Sequence, residues 1–285
     1  MHITVLLQEA VEGLNLKDGD KAVDCTLGDG GHSAEILKKI GQSGKLLSID
    51  VDEENFARAR EKFKTAILVN DNFVHLKNIL TSHNFTSVQG ILLDLGWSTT
   101  QFEESGRGFS FQRQDEPLDM RLGGESITAA EILNTWSEEE IGRILRIYGE
   151  EKKWRFWAEQ IVERRKKKKF AIVGDLLELT GEEKKQNRLH PATKIFQALR
   201  IAVNDELKNL EETLPQALEA LNSNGRLAVI TFHSLEDRIV KNFFQKSALQ
   251  GKIKIINKKP ITASAEELKK NPRSRSAKLR IIEKI

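Results

Sequence analysis

Hydrophobic positions in the first ninety-odd residues fall into short, nearly continuous runs, at 22–24, 45–50, 66–70 and 88–94. Three of these runs close on an acid, at Asp24, Asp50 and Asp94. Helical periodicity fills the spaces between them. A short amphipathic helix is expected over 3–14, another from near His32, and a third opening on Asp52, Glu53 and Glu54, where acids complement the macrodipole. Its apolar face reads Phe56, Ala59, Phe63, and a fourth helix runs from the 71–73 turn to Leu80. Unbroken apolar strands alternating with helices predict a parallel sheet covered on both faces.

That alternation stops near Glu104 and returns only after Asp205. Between them the pattern is helical, over 127–133, 138–148, 154–165 and from Pro191 onward, with the 170–173 run open to either type. Ser137 and Glu140 have capping-box spacing. From Ile195 to Leu210 one stripe (Ile195, Phe196, Leu199, Ala202, Val203, Leu207, Leu210) predicts a single long helix, its polar face formed by Lys194, Gln197, Arg200, Asn204 and Lys208. The sheet resumes at 225–234, followed by a helix over 235–244. Strands over 252–257 and 278–283 are suited to an antiparallel pair, joined through a basic loop at 269–276. The expected fold class is therefore α/β: seven strands in a Rossmann-like sheet, with an inserted all-helical domain. The boundaries are 1–104 and 206–285 for the sheet domain and 105–205 for the insertion.

Charge sharpens this division. Residues 1–150 carry 15 Lys+Arg against 25 Asp+Glu, 151–200 carry 14 against 7, and 241–285 carry 13 against 3. Two basic segments flanking an acidic remainder are the footprint of a polyanion partner, although a solvated helix face is the commoner fate of any single run. The run 164–169 is open to both readings. The single cysteine, Cys25, lies within the first strand as a small core hydrophobe and excludes an intrachain disulfide. No run reaches the length of a membrane span, the N-terminus lacks a basic leader, and a cytoplasmic location is expected.

Residues 22–32, Ala-Val-Asp-Cys-Thr-Leu-Gly-Asp-Gly-Gly-His, form a strand, a glycine turn and a helix start, where backbone N–H groups can meet a ligand. Asp50 follows Gly28 by 22 positions, close to the spacing of a ribose-binding carboxylate. A dinucleotide fingerprint would place a glycine at Ser33, and Asp24 and Asp29 disfavour a pyrophosphate. An acidic turn suits a cationic, phosphate-free nucleoside such as S-adenosylmethionine. Asp24, Asp50, Phe73 and Asp94 are expected to converge at the carboxyl edge, where such sheets bind ligands.

Asp94 lies where a substrate amine would face the cofactor, and its carboxylate suits it to accept an N–H and take up a proton. Trp97 has two readings, a platform for a flipped base or a hydrophobic lid. The stretches 106–111 and 117–121 are open between a substrate loop and a structural turn. His233 either lines the substrate pocket or serves the fold, and His190 suits a helix cap. No cluster with metal-ligand spacing is seen. A nicotinamide oxidoreductase and a non-catalytic RNA-binding factor are the alternatives from other classes; the first lacks its third glycine.

Taken together, Asp24-x-Thr-x-Gly-x-Gly-Gly-His-Ser33, Ile91-Leu-Leu-Asp-Leu-Gly96, Arg107-Gly-Phe-Ser-Phe111, Pro117-Leu-Asp-Met-Arg121, Tyr148-Gly-Glu150, His190-Pro-Ala-Thr193, Phe232-His-Ser-Leu-Glu-Asp-Arg238 and Asn271-Pro-Arg-x-Arg-Ser276 resemble the MraW-type bacterial methyltransferases. These are small-subunit ribosomal RNA cytosine-N4 methyltransferases. The resemblance implies an S-adenosylmethionine-dependent methyltransferase sheet, with 16S rRNA or the small ribosomal subunit as partner. It further implies cofactor contacts at Gly30, Gly31 and His32, at Asp50 on the ribose, at Phe73 beside the adenine, and at Asp94 and Gln101 nearer the methionine end. Trp97, where the family usually has a small aliphatic residue, and Thr100, where it often has proline, depart from the pattern.

Overall fold

The computed structural model describes residues 3–95, 105–123, 126–181 and 190–285. Trp97 and Gln101 lie outside the described residues.

Two compact units divide the chain, one formed by Met1–Trp97 with Leu207–Ile285 and the other by Ser98–Glu206. In the first unit the elements run α1 (Leu7–Gly13), β1 (Lys21–Asp24), α2 (Gly31–Ile40), β2 (Lys45–Asp50), α3 (Glu53–Lys62), β3 (Ile67–Asn70), a 3-10 turn (Phe73–His75), α4 (Leu76–Ser82) and β4 (Val88–Asp94). The second unit contributes α5 (Ala129–Thr135), α6 (Glu138–Ile147), α7 (Trp154–Lys167), α8 (Val173–Thr180) and α9 (Pro191–Asn204). The chain then passes through α10 (Glu206–Ala220) to β5 (Leu221–Thr231), α11 (Ser234–Leu249), β6 (Ile253–Ile255), α12 (Ala265–Lys270), a second 3-10 turn (Pro272–Ser276) and β7 (Lys278–Lys284).

The seven strands form one sheet in the order β3-β2-β1-β4-β5-β7-β6. The first five are parallel, and β7 runs antiparallel between β5 and β6. Two-residue periodicity sends alternate side chains to opposite cores. Val23, Leu47, Ile49, Ile91, Leu93 and Val229 pack on one face. Ala22, Leu46, Leu92, Ala228 and Ile230 pack on the other. Strand order reverses between β1 and β4, and such switch points open a crevice beyond the carboxyl ends.

Two local expectations are corrected. The stripe from Ile195 to Leu210 is two helices: Asp205 sits between α9 and α10 in the left-handed region, with φ of 49°. The polar side of α9 is half-buried: Gln197 donates to the Tyr148 carbonyl (2.8 Å), Lys194 to the Glu150 carbonyl (2.8 Å) and Asn204 to the Met120 carbonyl (2.8 Å). The basic stretch at 269–276 is the end of α12, capped by Ser264, followed by the 3-10 turn.

In the second unit, 106–111 and 117–121 brace each other as structural turns. Gly108 has φ of 73°, and a Cβ there would lie 2.2 Å from the Pro117 carbonyl oxygen. Arg107 donates to the carbonyls of Arg121 (3.1 Å) and Leu122 (2.9 Å). His190 caps α9, its Nδ1 accepting from the Ala192 N–H at 3.1 Å, and stacks on Phe111. The Ser137–Glu140 capping box is formed. Much of the 164–169 run holds the fold together. Arg164 pairs with Asp175 and Glu178, Arg165 donates to the Leu133 and Trp136 carbonyls, and Lys168 pairs with Asp175.

Candidate active site

The turn between β1 and α2 is held from both sides. The Thr26 hydroxyl accepts from the Asp94 N–H at 2.7 Å, tying the end of β1 to the end of β4. The Gly28 N–H donates to Asp50 at 2.7 Å, tying the turn to the end of β2. The sequence marks Gly28 by its place in the glycine turn and its spacing to Asp50, and Thr26 only by its position within the turn.

The three glycines do different jobs. Gly30 has φ of 78°, and a Cβ there would sit 2.3 Å from the Phe63 ring. Gly31 lies against Thr4, whose Oγ1 would be 1.8 Å from a Cβ. Both are therefore required by internal packing. Gly28 has φ of 51°, and its added Cβ would meet only the Thr26 carbonyl oxygen at 4.0 Å. Of the three, Gly28 is the one that keeps open space beside Asp50.

Asp24 does not line a cleft. It is fully buried, accepting from the Ser33 hydroxyl at 2.7 Å and the Thr26 N–H at 3.1 Å. Burial pushes its carboxyl above the usual range, against those donors. Ser33 also lies 2.9 Å from the Ser48 hydroxyl on β2. Ser33 is thus a buried link between the turn and two strands, a physical reason for serine where a dinucleotide motif has glycine.

Asp50 is 7% exposed and accepts from the N–H groups of Asp52 (2.8 Å) and Gly28 and from the Asn55 amide (3.2 Å). Asn55 in turn accepts from Arg58. Burial pushes the Asp50 carboxyl up to about 6, its N–H partners holding it from rising further. Among the described residues no cation pairs with Asp24 or Asp50. A buried carboxylate held only by neutral donors keeps its charge for hydroxyl donors or a cation brought by a ligand.

Asp94 closes β4 with its side chain 20% exposed, and its Oδ2 lies 3.5 Å from Nδ1 of His32, which is buried in the first turn of α2. The structure so gathers Gly28, Gly30, Gly31, His32, Asp50 and Asp94 around one turn. Phe73 opens the 3-10 turn after β3 and packs against the sheet core. His233 follows β5 at the same carboxyl edge, three residues after Ile230, which pairs with Asp94. It caps α11, accepting from the Glu236 N–H at 3.4 Å, and its Nε2 lies 3.1 Å from the Glu236 carboxylate. Cys25 is 1% exposed and its thiol is pushed up by burial.

The residues present suit a nucleoside cofactor without phosphates: an acid at the ribose position, a Cβ-free gap beside it, and an anionic end to the neighbouring strand. No described helix is long and apolar enough to cross a membrane.

Comparison with known proteins agrees with this chemistry. A "Ribosomal RNA small subunit methyltransferase H" of Dictyoglomus thermophilum is 50% identical over 289 residues, covering 100% of this chain and 97% of that protein. One of the same name from Brevibacillus brevis is 44% identical over 308 residues, covering 100% and 98%. Among solved structures, an rRNA methylase from Streptococcus thermophilus aligns with a TM-score of 0.48 at 11% identity, over 99% of this chain and 98% of its own, a likeness too slight to bear on function. The model of the MraW methylase family matches residues 1–285, from first to last, and the chain belongs to that family.

Proposed function

We propose that this methylase transfers a methyl group from S-adenosylmethionine to the N4 amine of a cytidine in the decoding region of 16S rRNA. The observation that carries the proposal is the family match across the whole chain, on a sheet whose switch-point turn is bounded by Asp50 and Asp94. The cofactor supplies an electrophilic methyl group and a sulfur leaving group. Asp50 accepts from the ribose hydroxyls, Gly28 leaves room at the turn whose backbone Gly30 and Gly31 complete, and Phe73 packs beside the adenine. Gln101 contributes toward the methionine end.

The exocyclic amine is conjugated with its ring and is a weak nucleophile. Asp94 accepts one of its N–H bonds, orients the lone pair toward the methyl carbon and receives the proton released as the N–C bond forms and the C–S bond breaks. His32, 3.5 Å from Asp94, holds that carboxylate in place. Trp97 stacks on the extruded base. The helical insertion, residues 105–205, serves as the RNA-recognition domain, and the action is cytoplasmic.

Purified protein, tritiated donor and small subunits lacking the modification test the reading. Label at the N4 of one cytidine is expected, and its absence would overturn it.

A further inference from the structure

The second basic segment lies on the sheet unit and has no part in the cofactor site. Its placement follows from strand register. Asp94 pairs with Ile230, and the next residue of β5, Thr231, pairs with Lys278, the first residue of β7. Because β7 is antiparallel, its beginning lies at the edge where the parallel strands end. The 3-10 turn Pro272–Ser276 immediately precedes it. The segment after β6 reaches the same edge, with Asn257 donating to the Leu279 carbonyl at 2.9 Å and Ile261 bridging to Leu279.

The turn is a built presentation rather than a solvated tail. Asn271 and Ser274 are buried, and the Asn271 amide donates to the Ile3 carbonyl at 2.9 Å. Glu267, on the preceding helix, accepts from the Leu6 N–H at 2.8 Å. Thr4, between those two anchor points, abuts Gly31 of the cofactor turn. Arg273 and Arg275 alternate with the buried positions and are exposed, as are Lys258 and Lys259.

We propose that Arg273 and Arg275, fixed by the Asn271 and Ser274 anchors and joined by Lys258 and Lys259, form a phosphate clamp for the RNA strand flanking the target nucleotide. The proposal rests on the RNA substrate argued above. Exposed cations at the edge where the amine must meet the methyl group position the backbone without reading sequence. Asn271 is a positioning residue, linking the clamp through residues 3–6 to the glycine turn.

The full-length R273Q/R275Q protein tests it, with S-adenosylhomocysteine affinity, thermal melting, KM for unmodified small subunits and the salt dependence of rRNA binding as readouts. Unchanged cofactor affinity and melting are expected, with kcat retained and KM raised about tenfold. The slope of log affinity against log salt should fall by about 1.4, since each single-strand phosphate contact contributes about 0.7. R273K/R275K should restore most of the slope. An unchanged KM and slope overturn the clamp, as does a loss of cofactor affinity alongside RNA affinity, which would assign the pair to the fold. If the wild-type protein neither binds nor labels rRNA, the substrate reading falls and the clamp with it. A labelling wild type with an indifferent variant removes the clamp alone.

Discussion

The acids at the cofactor turn of the sheet unit and the paired acids of the helical unit behave oppositely. In the sheet unit, Asp24 and Asp50 are held by N–H and hydroxyl donors, and burial raises both carboxyls. In the helical unit, Asp119 takes a bidentate pair from Arg121 at 2.7 and 2.8 Å, which lowers it. Asp175 is 2% exposed, and although burial alone would raise it, Lys168 and the N–H groups of Ala171 and Ile172 hold it down at about 2. The helical unit neutralises its acids internally and gains stability. At the turn after β1 the sheet unit leaves Asp24 and Asp50 without a cation among the described residues, at a cost that a ligand can recover at Asp50.

The sharpest way to break this contrast is Asp94→Ala. Single-turnover methylation at saturating S-adenosylmethionine should fall by about 10²–10⁴, the usual worth of a positioned base. Full activity in that variant would remove Asp94 from the chemistry. Next in size, Asp175→Ala should destabilise the protein by about 2–4 kcal/mol in urea denaturation, because Arg164 and two backbone N–H groups lose their partner. Its folded carboxyl is depressed, so its stabilisation is present above the ordinary carboxylate range and fades only as pH falls toward 2.

Ser33→Ala should cost about 1–3 kcal/mol by the same assay, since it strips a hydroxyl from a fully buried carboxylate. A neutral result would mean that Asp24 is protonated and needs no such donor. The smallest effect is on pH. Asp50 is raised, so its contribution to stability has the opposite sign: it is fully present at low pH and is lost as pH rises through about 6. Cofactor binding wants the ionised form, so S-adenosylhomocysteine affinity should weaken by up to about tenfold per pH unit below 6. A flat profile between pH 7 and 5 would count against Asp50 as the ribose acceptor.

Sequence periodicity by itself located β2 and β4 to the residue and placed the sheet's five parallel strands, because an apolar run closed by an acid needs only local chemistry to read. It also marked Asp50 and Asp94 as chemistry at strand ends. Why Gly30, Gly31 and Ser33 are what they are was decided by Phe63, Thr4 and Ser48, neighbours 15 to 33 positions away that only folding brings within contact. The same holds for Asp24, which the sequence places beside Asp50 as an equal and the tertiary structure buries completely. The division at Asp205 and the inward turn of Gln197 and Asn204 likewise depended on loops to be capped. An acid's position along a strand is a local property; its charge, exposure and partners depend on whatever packs over it.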